Sequence, residues 1–221
     1  MAAGEGTRLR PLTERWPKPV LPIDGRPVLG TLLRELAAAG LTRVFLVTGH
    51  LAEQVERLVG DGSAFGVEVE TVRQPSVLGS ADAVQRSLAA GARTPVLVTA
   101  ADTVYRAGDV AAFAAASAGF DGAIAVRRDP PPGPGRRAIA IADGLVTGIG
   151  GGGELSGAPL WLLADAVASR LCLDEEPYEL ENAYTAALAA GARIAAVEIG
   201  KTRDLTHPLD LVEENFPYLG A

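Results

Sequence analysis

Apolar positions along the chain alternate between two rhythms. Over residues 28–39 they fall at Leu29, Leu32, Leu33, Leu36 and Ala37, the spacing of one helical face, and Gly40 supplies the stop. Arg43–Thr48 is instead almost continuously apolar, as a strand covered on both faces must be. A second helix is predicted over 51–59, a turn at Gly60-Asp61-Gly62, and a strand over 67–72, where apolar and polar residues alternate. Helix follows again up to Ala90-Gly91, then apolar strands over 95–102 and 121–127. Asp143-Gly144 between the runs 138–142 and 145–149 is a strong hairpin signal. The remaining pattern predicts a strand over 158–163, a helix over 164–172, another helix opening within the acidic stretch 174–183, and a strand over 193–199. Pro208 opens a last helix at its favoured first-turn position. Strands and helices alternating at this spacing argue for an α/β protein with a layered sheet. Residues 129–135 carry four prolines and can be neither helix nor central strand, so they read as a surface loop.

Composition narrows the class. At 221 residues with 48% hydrophobic content the chain can bury a sizeable core, and a single domain over 1–221 is expected. No apolar run reaches the roughly 18 residues of a membrane span. A formal charge of −7, a pI near 4.9 and the lack of a basic stripe argue against nucleic-acid binding. Cys172 is the sole cysteine, which rules out an internal disulfide or a cysteine metal cluster, and a buried, inert thiol is expected. No secretory signal precedes the first loop, so the expected location is cytoplasmic.

The candidate chemistry is concentrated at the start. Ala2-Ala3-Gly4-Glu5-Gly6-Thr7-Arg8-Leu9-Arg10-Pro11-Leu12-Thr13 is followed by Trp16-Pro17-Lys18-Pro19-Val20-Leu21-Pro22-Ile23-Asp24-Gly25. Small residues let the backbone approach a ligand, and glycines supply the dihedrals of a tight loop. Arg8, Arg10, Arg15 and Lys18 outnumber Glu5, Glu14 and Asp24, so the stretch is locally positive in an acidic chain and suits an anion. It lacks the third glycine of a dinucleotide fingerprint and the Gly-Lys-Ser/Thr ending of a P-loop. Asp102 stands at the C-terminal end of a predicted strand, where ligands bind in open α/β sheets.

These residues resemble the signature of the sugar-1-phosphate nucleotidyltransferases, the nucleotide-sugar pyrophosphorylases, through Gly25, Arg26 and Pro27. The resemblance implies a Rossmann-like layered α/β/α fold with a mostly parallel central sheet. It also implies a Mg²⁺-dependent reaction of a nucleoside triphosphate with a sugar 1-phosphate. Ala3, Gly4, Gly6 and Thr7 inherit the triphosphate loop, Arg8 a contact to it, and Lys18 a contact to the reacting phosphates. Gln74-Pro75-Ser76-Val77-Leu78-Gly79-Ser80-Ala81 is similar to the family's second motif, which places Gln74 and Gly79 against the nucleotide base. A glutamine amide can both donate to and accept from a base edge. Asp102 inherits the first metal aspartate. Residues 203–211 resemble the closing motif, whose aspartate falls on Asp204 as second metal ligand. Glu179 is the candidate for a sugar contact.

The match has gaps. The family's hydrophobic first strand is represented by its last residues alone, which implies an empty sheet position and a native start upstream of Met1. Ala101 and Asp82 stand where relatives have glycine, and Thr206 and His207 replace a glycine and a threonine. Gly150-Gly151-Gly152-Gly153-Glu154 replaces the Glu-Lys-Pro whose lysine binds the sugar phosphate, so that role has no heir and the acceptor is not legible; nor do base and oligomeric state follow from the sequence. Two other readings stand beside the transferase: a non-catalytic nucleotide-binding regulator of the same fold, and a cytidylyltransferase acting on a non-sugar phosphate such as phosphocholine.

Overall fold

The structure, a computed structural model, describes residues 1–129, 131–133, 136–173, 178–216 and 218. The chain first forms the short pair β1 (Pro22–Ile23) and β2 (Arg26–Pro27), then α1 (Val28–Ala38), β3 (Arg43–Thr48), α2 (Ala52–Val59) and β4 (Glu68–Arg73). Next come α3 (Ser80–Ala89), β5 (Val96–Thr99), β6 (Thr103–Val104), α4 (Asp109–Ala116), β7 (Gly122–Arg127), β8 (Ala138–Ala142), β9 (Leu145–Ile149) and β10 (Leu155–Leu163). Last are α5 (Asp165–Ala168), α6 (Leu180–Ala189), β11 (Ile194–Glu198), β12 (Arg203–Asp204) and α7 (Pro208–Glu213). The expected α/β alternation is present.

Some expectations need correction. The strand expected over 95–102 ends at Thr99, and the helix expected over 164–172 stops at Ala168. Beyond it Leu171 is only half-buried and Cys172 is exposed, so little burial is left to offset the cost of ordering another turn. The same position corrects the expected burial of the Cys172 thiol. The helix near 174–183 begins at Leu180, and residues 174–177 lie outside the described residues, as do Pro130, Pro134 and Gly135 of the proline-rich loop. None of the described helices is long and apolar enough to cross a membrane.

Chain contacts divide the structure into two compact units, each assembled from separate segments. The first comprises Met1–Val77, Ala100–Tyr105 and Arg203–Ala221. Here β3 and β4 pair in parallel, from Arg43 opposite Glu68 to Thr48 opposite Arg73. Ala2 forms a parallel bridge to Thr48. The Ala2 amide donates to the Val47 carbonyl at 2.7 Å and the Ala101 amide to the Met1 carbonyl at 2.8 Å. Met1 and Ala2 thus hold a strand-like position with bonds on both sides. Leu9, Leu21, Ile23, Val28 and Leu205 form one buried cluster, which ties the first loop to the segment that follows Asp204.

The second unit, Leu78–Thr99 and Arg106–Thr202, holds a six-stranded sheet in the order β5-β10-β7-β11-β9-β8. The sheet is mixed rather than mostly parallel. β10 runs antiparallel to both β5 and β7, and β8–β9 is the hairpin that Asp143-Gly144 announces, with both turn residues at positive φ. β11 lies parallel to β7, Ile194 opposite Gly122. α4, α5 and α6 pack on this sheet, and Phe113, Ile124, Leu160, Leu163, Tyr184 and Ile194 fill the space between. Tyr184 is wholly buried, its hydroxyl donates to the Leu162 carbonyl at 2.6 Å, and burial raises its pKa well above the usual phenol value. Tyr184→Phe removes that donor, which also reaches the buried Ala123 carbonyl at 3.3 Å. The variant should lose about 1–2 kcal/mol in urea unfolding; an unchanged midpoint would show the bond to be worthless.

Candidate functional site

The first loop is built to leave its amides unused. Gly6 sits at φ 63°, a conformation that glycine adopts without penalty, and begins the turn Thr7–Leu9. The amides of Gly4, Glu5, Gly6, Thr7 and Arg8 donate no hydrogen bond among the described residues. Space is open beside Gly4, where an added Cβ would meet nothing within 4 Å. The rim is held from beneath: the buried Thr13 donates its hydroxyl to the Gly6 carbonyl at 2.9 Å. His50 Nε2 lies 2.7 Å from the Thr13 carbonyl, so that nitrogen carries the proton. Orphan amides on a glycine turn attract an anion. Thr13→Val keeps the shape and removes the bond to Gly6. It should cost about 1 kcal/mol of stability and weaken pyrophosphate binding several-fold by titration, and unchanged affinity would release Thr13 from holding the anion loop.

Lys18 lies under the same loop. Its Cβ would stand 3.7 Å from a Cβ placed on Gly6. Its ammonium contacts the Asp102 carboxylate at 2.7 Å, with Lys18 13% and Asp102 29% exposed. The structure therefore brings two of the sequence-predicted residues into direct contact. Asp102 immediately precedes β6, and the β6–β12 ribbon sets Asp204 opposite Thr103, one residue from Asp102. Asp204 accepts a bond from the Thr206 hydroxyl at 3.0 Å. Neither aspartate caps a helix. His207 is the N-cap of α7 and Asp210 takes the Thr206 and His207 amides at 2.6 and 2.7 Å, while the N-cap of α4 is Gly108.

This donor set suits a hard divalent cation. No group of three or more His, Cys, Asp or Glu side chains with metal-binding geometry occurs among the described residues. One carboxylate on the ribbon and another on the residue just before it, the latter already holding a cationic ammonium, match the way Mg²⁺ is bound by one or two carboxylates, with phosphate and water completing the shell. Arg8 is exposed and has no partner among the described residues, so its guanidinium is available to a ligand.

Other predicted residues are not part of that ribbon. Gln74 is buried in the first unit, its backbone N–H donating to the Thr48 carbonyl at 2.8 Å. Gly79 and Glu179 belong to the second unit and come close together. A Cβ on Gly79 would stand 2.4 Å from the Tyr178 carbonyl oxygen. The Ser80 hydroxyl donates to Glu179 at 2.7 Å and accepts from the Leu180 amide at 2.7 Å. Glu179 is the N-cap residue of α6. In the first turn of α6 the Glu181 carboxyl is pushed up, first by burial and then by the charge of Glu179.

Sequence reasoning missed the β1–β2 hairpin, although Asp24-Gly25 is the same turn signal as Asp143-Gly144, with positive φ at both residues. It also missed Arg203, which binds Asp24 and Glu214.

Orphan amides on a glycine turn, the Lys18–Asp102 pair and Asp204 opposite Thr103 on the next ribbon position together make an anion- and cation-accepting arrangement on an α/β chain. The sequence pattern of the nucleotidyl transferase family matches residues 1–132, more than half of the chain, and the chain belongs to that family. It is similar to N-acetylmuramate alpha-1-phosphate uridylyltransferase of Neisseria meningitidis, at 37% identity over 118 residues, 53% of this chain and 51% of that protein. Mannose-1-phosphate guanylyltransferase of Mycobacterium tuberculosis is 46% identical over 80 residues, 36% of this chain and 22% of that protein. The chain thus matches about half of the first relative's length and under a quarter of the second's. Among solved structures, a putative glucose-1-phosphate thymidylyltransferase from Bacillus anthracis shares the fold, with a TM-score of 0.83 at 19% identity over 97% of this chain and 91% of that one.

Proposed function

We propose that this chain transfers a nucleotidyl group from a nucleoside triphosphate to a sugar 1-phosphate, giving a nucleotide sugar and pyrophosphate. The observation that carries the reading is the Lys18–Asp102 contact at 2.7 Å beneath a loop of orphan amides. The names of the related uridylyl- and guanylyltransferases support the same reaction class.

The acceptor phosphate is already an anion, so the reaction needs no general base. One of its oxygens bonds to the α-phosphorus while the bond from α-phosphorus to the bridging oxygen breaks, and the electron pair leaves with pyrophosphate. The work left to the protein is alignment and charge neutralisation. The loop amides and Arg8 take the triphosphate, and Lys18 turns its ammonium to the attacked phosphate. Asp102 and Asp204 would hold Mg²⁺, which when bound shares the negative charge of the triphosphate.

A non-sugar acceptor is the second reading. The stretch Gly150-Gly151-Gly152-Gly153-Glu154 is fully exposed between β9 and β10 and contains no cation, so it offers nothing in place of the relatives' lysine. The test is pyrophosphate release with Mg²⁺, each common nucleoside triphosphate against a set of sugar 1-phosphates and phosphocholine, with Asp102→Ala as control. Release that requires a matched sugar 1-phosphate supports the first reading, and release with phosphocholine alone supports the second. Nucleotide binding without release anywhere in the set overturns both in favour of a regulator.

A further inference from the structure

Asp204 stands between two differently anchored neighbours. On one side Leu205 is buried in the cluster with Leu9, Leu21, Ile23 and Val28. On the other, Arg203 pairs through its backbone with Val104 and spreads its guanidinium over two partners. Nη1 and Nη2 donate to the two carboxylate oxygens of Asp24 at 2.6 and 2.9 Å, and Nε donates to Glu214 at 2.5 Å. A fourth contact, from Nη2 to the Glu214 carbonyl, measures 3.3 Å. Two-pronged pairing of this kind fixes direction as well as distance, which a lysine cannot do.

The partners of Arg203 are themselves fixed. Asp24 occupies the tight β1–β2 turn at φ 52°. Its amide donates to the Glu214 carbonyl, and the Gly25 amide donates to Asn215 Oδ1 at 2.8 Å. Asn215 Nδ2 returns a bond to the Pro22 carbonyl at 2.8 Å. The turn that follows Lys18 in sequence, the ribbon residue that precedes Asp204, and the end of α7 are therefore one hydrogen-bonded assembly within the first unit. The guanidinium holds the Asp24 carboxyl below the usual carboxylate range, and the two acids raise the Arg203 pKa above its ordinary value. All of this is more ordering than a tail needs.

We propose that Arg203 is a positioning residue: its clamp on Asp24 and Glu214 holds the β12 backbone, and so the place of Asp204 opposite Thr103 and one residue from Asp102, for a divalent cation. This rests on the reading of Asp102 and Asp204 as the cation pair. Arg203 touches no reacting atom in this scheme, and its effect passes through Asp204 alone. Partners that orient metal ligands typically contribute 10–100-fold to affinity.

The test is titration of the whole purified protein with Mn²⁺ alone, reading free Mn²⁺ by electron paramagnetic resonance. Arg203→Gln should weaken Mn²⁺ about 10-fold or more, and Arg203→Lys, which keeps the charge without the fork, should recover only part of that. Asp24→Asn, a milder change at an exposed position, should weaken Mn²⁺ in the same direction, and the double variant should be no weaker than Arg203→Gln, since both act through one contact. Tyr184→Phe serves as the control that loses stability without losing Mn²⁺. Wild-type affinity in Arg203→Gln and Asp24→Asn, with lowered melting temperatures, overturns the proposal and leaves the function untouched. Absence of Mn²⁺ binding by the wild type overturns the cation pair, and this inference with it.

Discussion

Asp102→Ala should lower pyrophosphate release by roughly 10²–10³, the range seen when one preorganised charge contact is removed. The expectation follows from what surrounds the carboxylate. Asp102 is only 29% exposed and Lys18 13%, so removing either partner leaves the other partly shielded from water with its charge unanswered. Lys18→Ala should therefore cost a similar factor. The double variant should be little worse than either single one, because the two groups serve the same step and their losses do not add. Asp102→Asn is the sharper test: the amide fills the same space but brings no charge, so a loss near that of alanine identifies charge as the requirement. Turnover within a few-fold of wild type in Asp102→Asn, with the fold intact by circular dichroism, would remove Asp102 from the chemistry. Thr206→Val would then be the informative variant, since Thr206 bonds the other carboxylate at 3.0 Å and a lone Asp204 would depend on it more.

What could be read from the sequence tracks how local the cause is. Arg43–Thr48 was readable because its apolar run needs no knowledge of its partner, and the β8–β9 hairpin because Asp143-Gly144 fixes its own turn. The same dipeptide at Asp24-Gly25 passed unnoticed: prolines at 22 and 27 leave two-residue strands with no period to detect. α4 was missed for the opposite reason, since Asp109–Ala116 is mostly alanine and lacks the polar face that gives a helix its signature. The sheet order was also out of reach, because β10 inserts between β5 and β7 through contacts far apart in sequence. At the site, the motif resemblance pointed to Lys18, Asp102 and Asp204 and set the two aspartates on one cation. The direct Lys18–Asp102 contact and the two-residue β6–β12 ribbon could not be read, since neither has a local pattern. Arg203 carried no signal at all, because its meaning lies in Asp24 and Glu214.

Gly79→Ala should destabilise the protein by about 3 kcal/mol or more, the sum of a strained backbone and an overpacked contact. Gly79 sits at φ 116°, outside the range of other residues, and its added Cβ would stand 2.4 Å from the Tyr178 oxygen and 2.8 Å from the Tyr178 carbon and nitrogen. These are backbone atoms, so no side chain can rotate to make room. The segment would have to part, and with it the Ala81 amide bond to the Tyr178 carbonyl at 2.7 Å and the Tyr178 amide bond to the Leu78 carbonyl at 2.9 Å. Ser80 would then lose its hold on Glu179 and on the Leu180 amide, which leaves α6 without its first-turn acceptor. The family resemblance implies a different reason for Gly79 to be small, the approach of a nucleotide base, and the two reasons separate by experiment. A steric conflict with Tyr178 predicts a lowered urea midpoint and faster amide exchange at the start of α6 in the ligand-free protein. A base contact alone predicts a variant of normal stability and weakened nucleotide affinity. Gly79→Ala within 1 kcal/mol of wild type would show that the close approach to Tyr178 can relax at little cost.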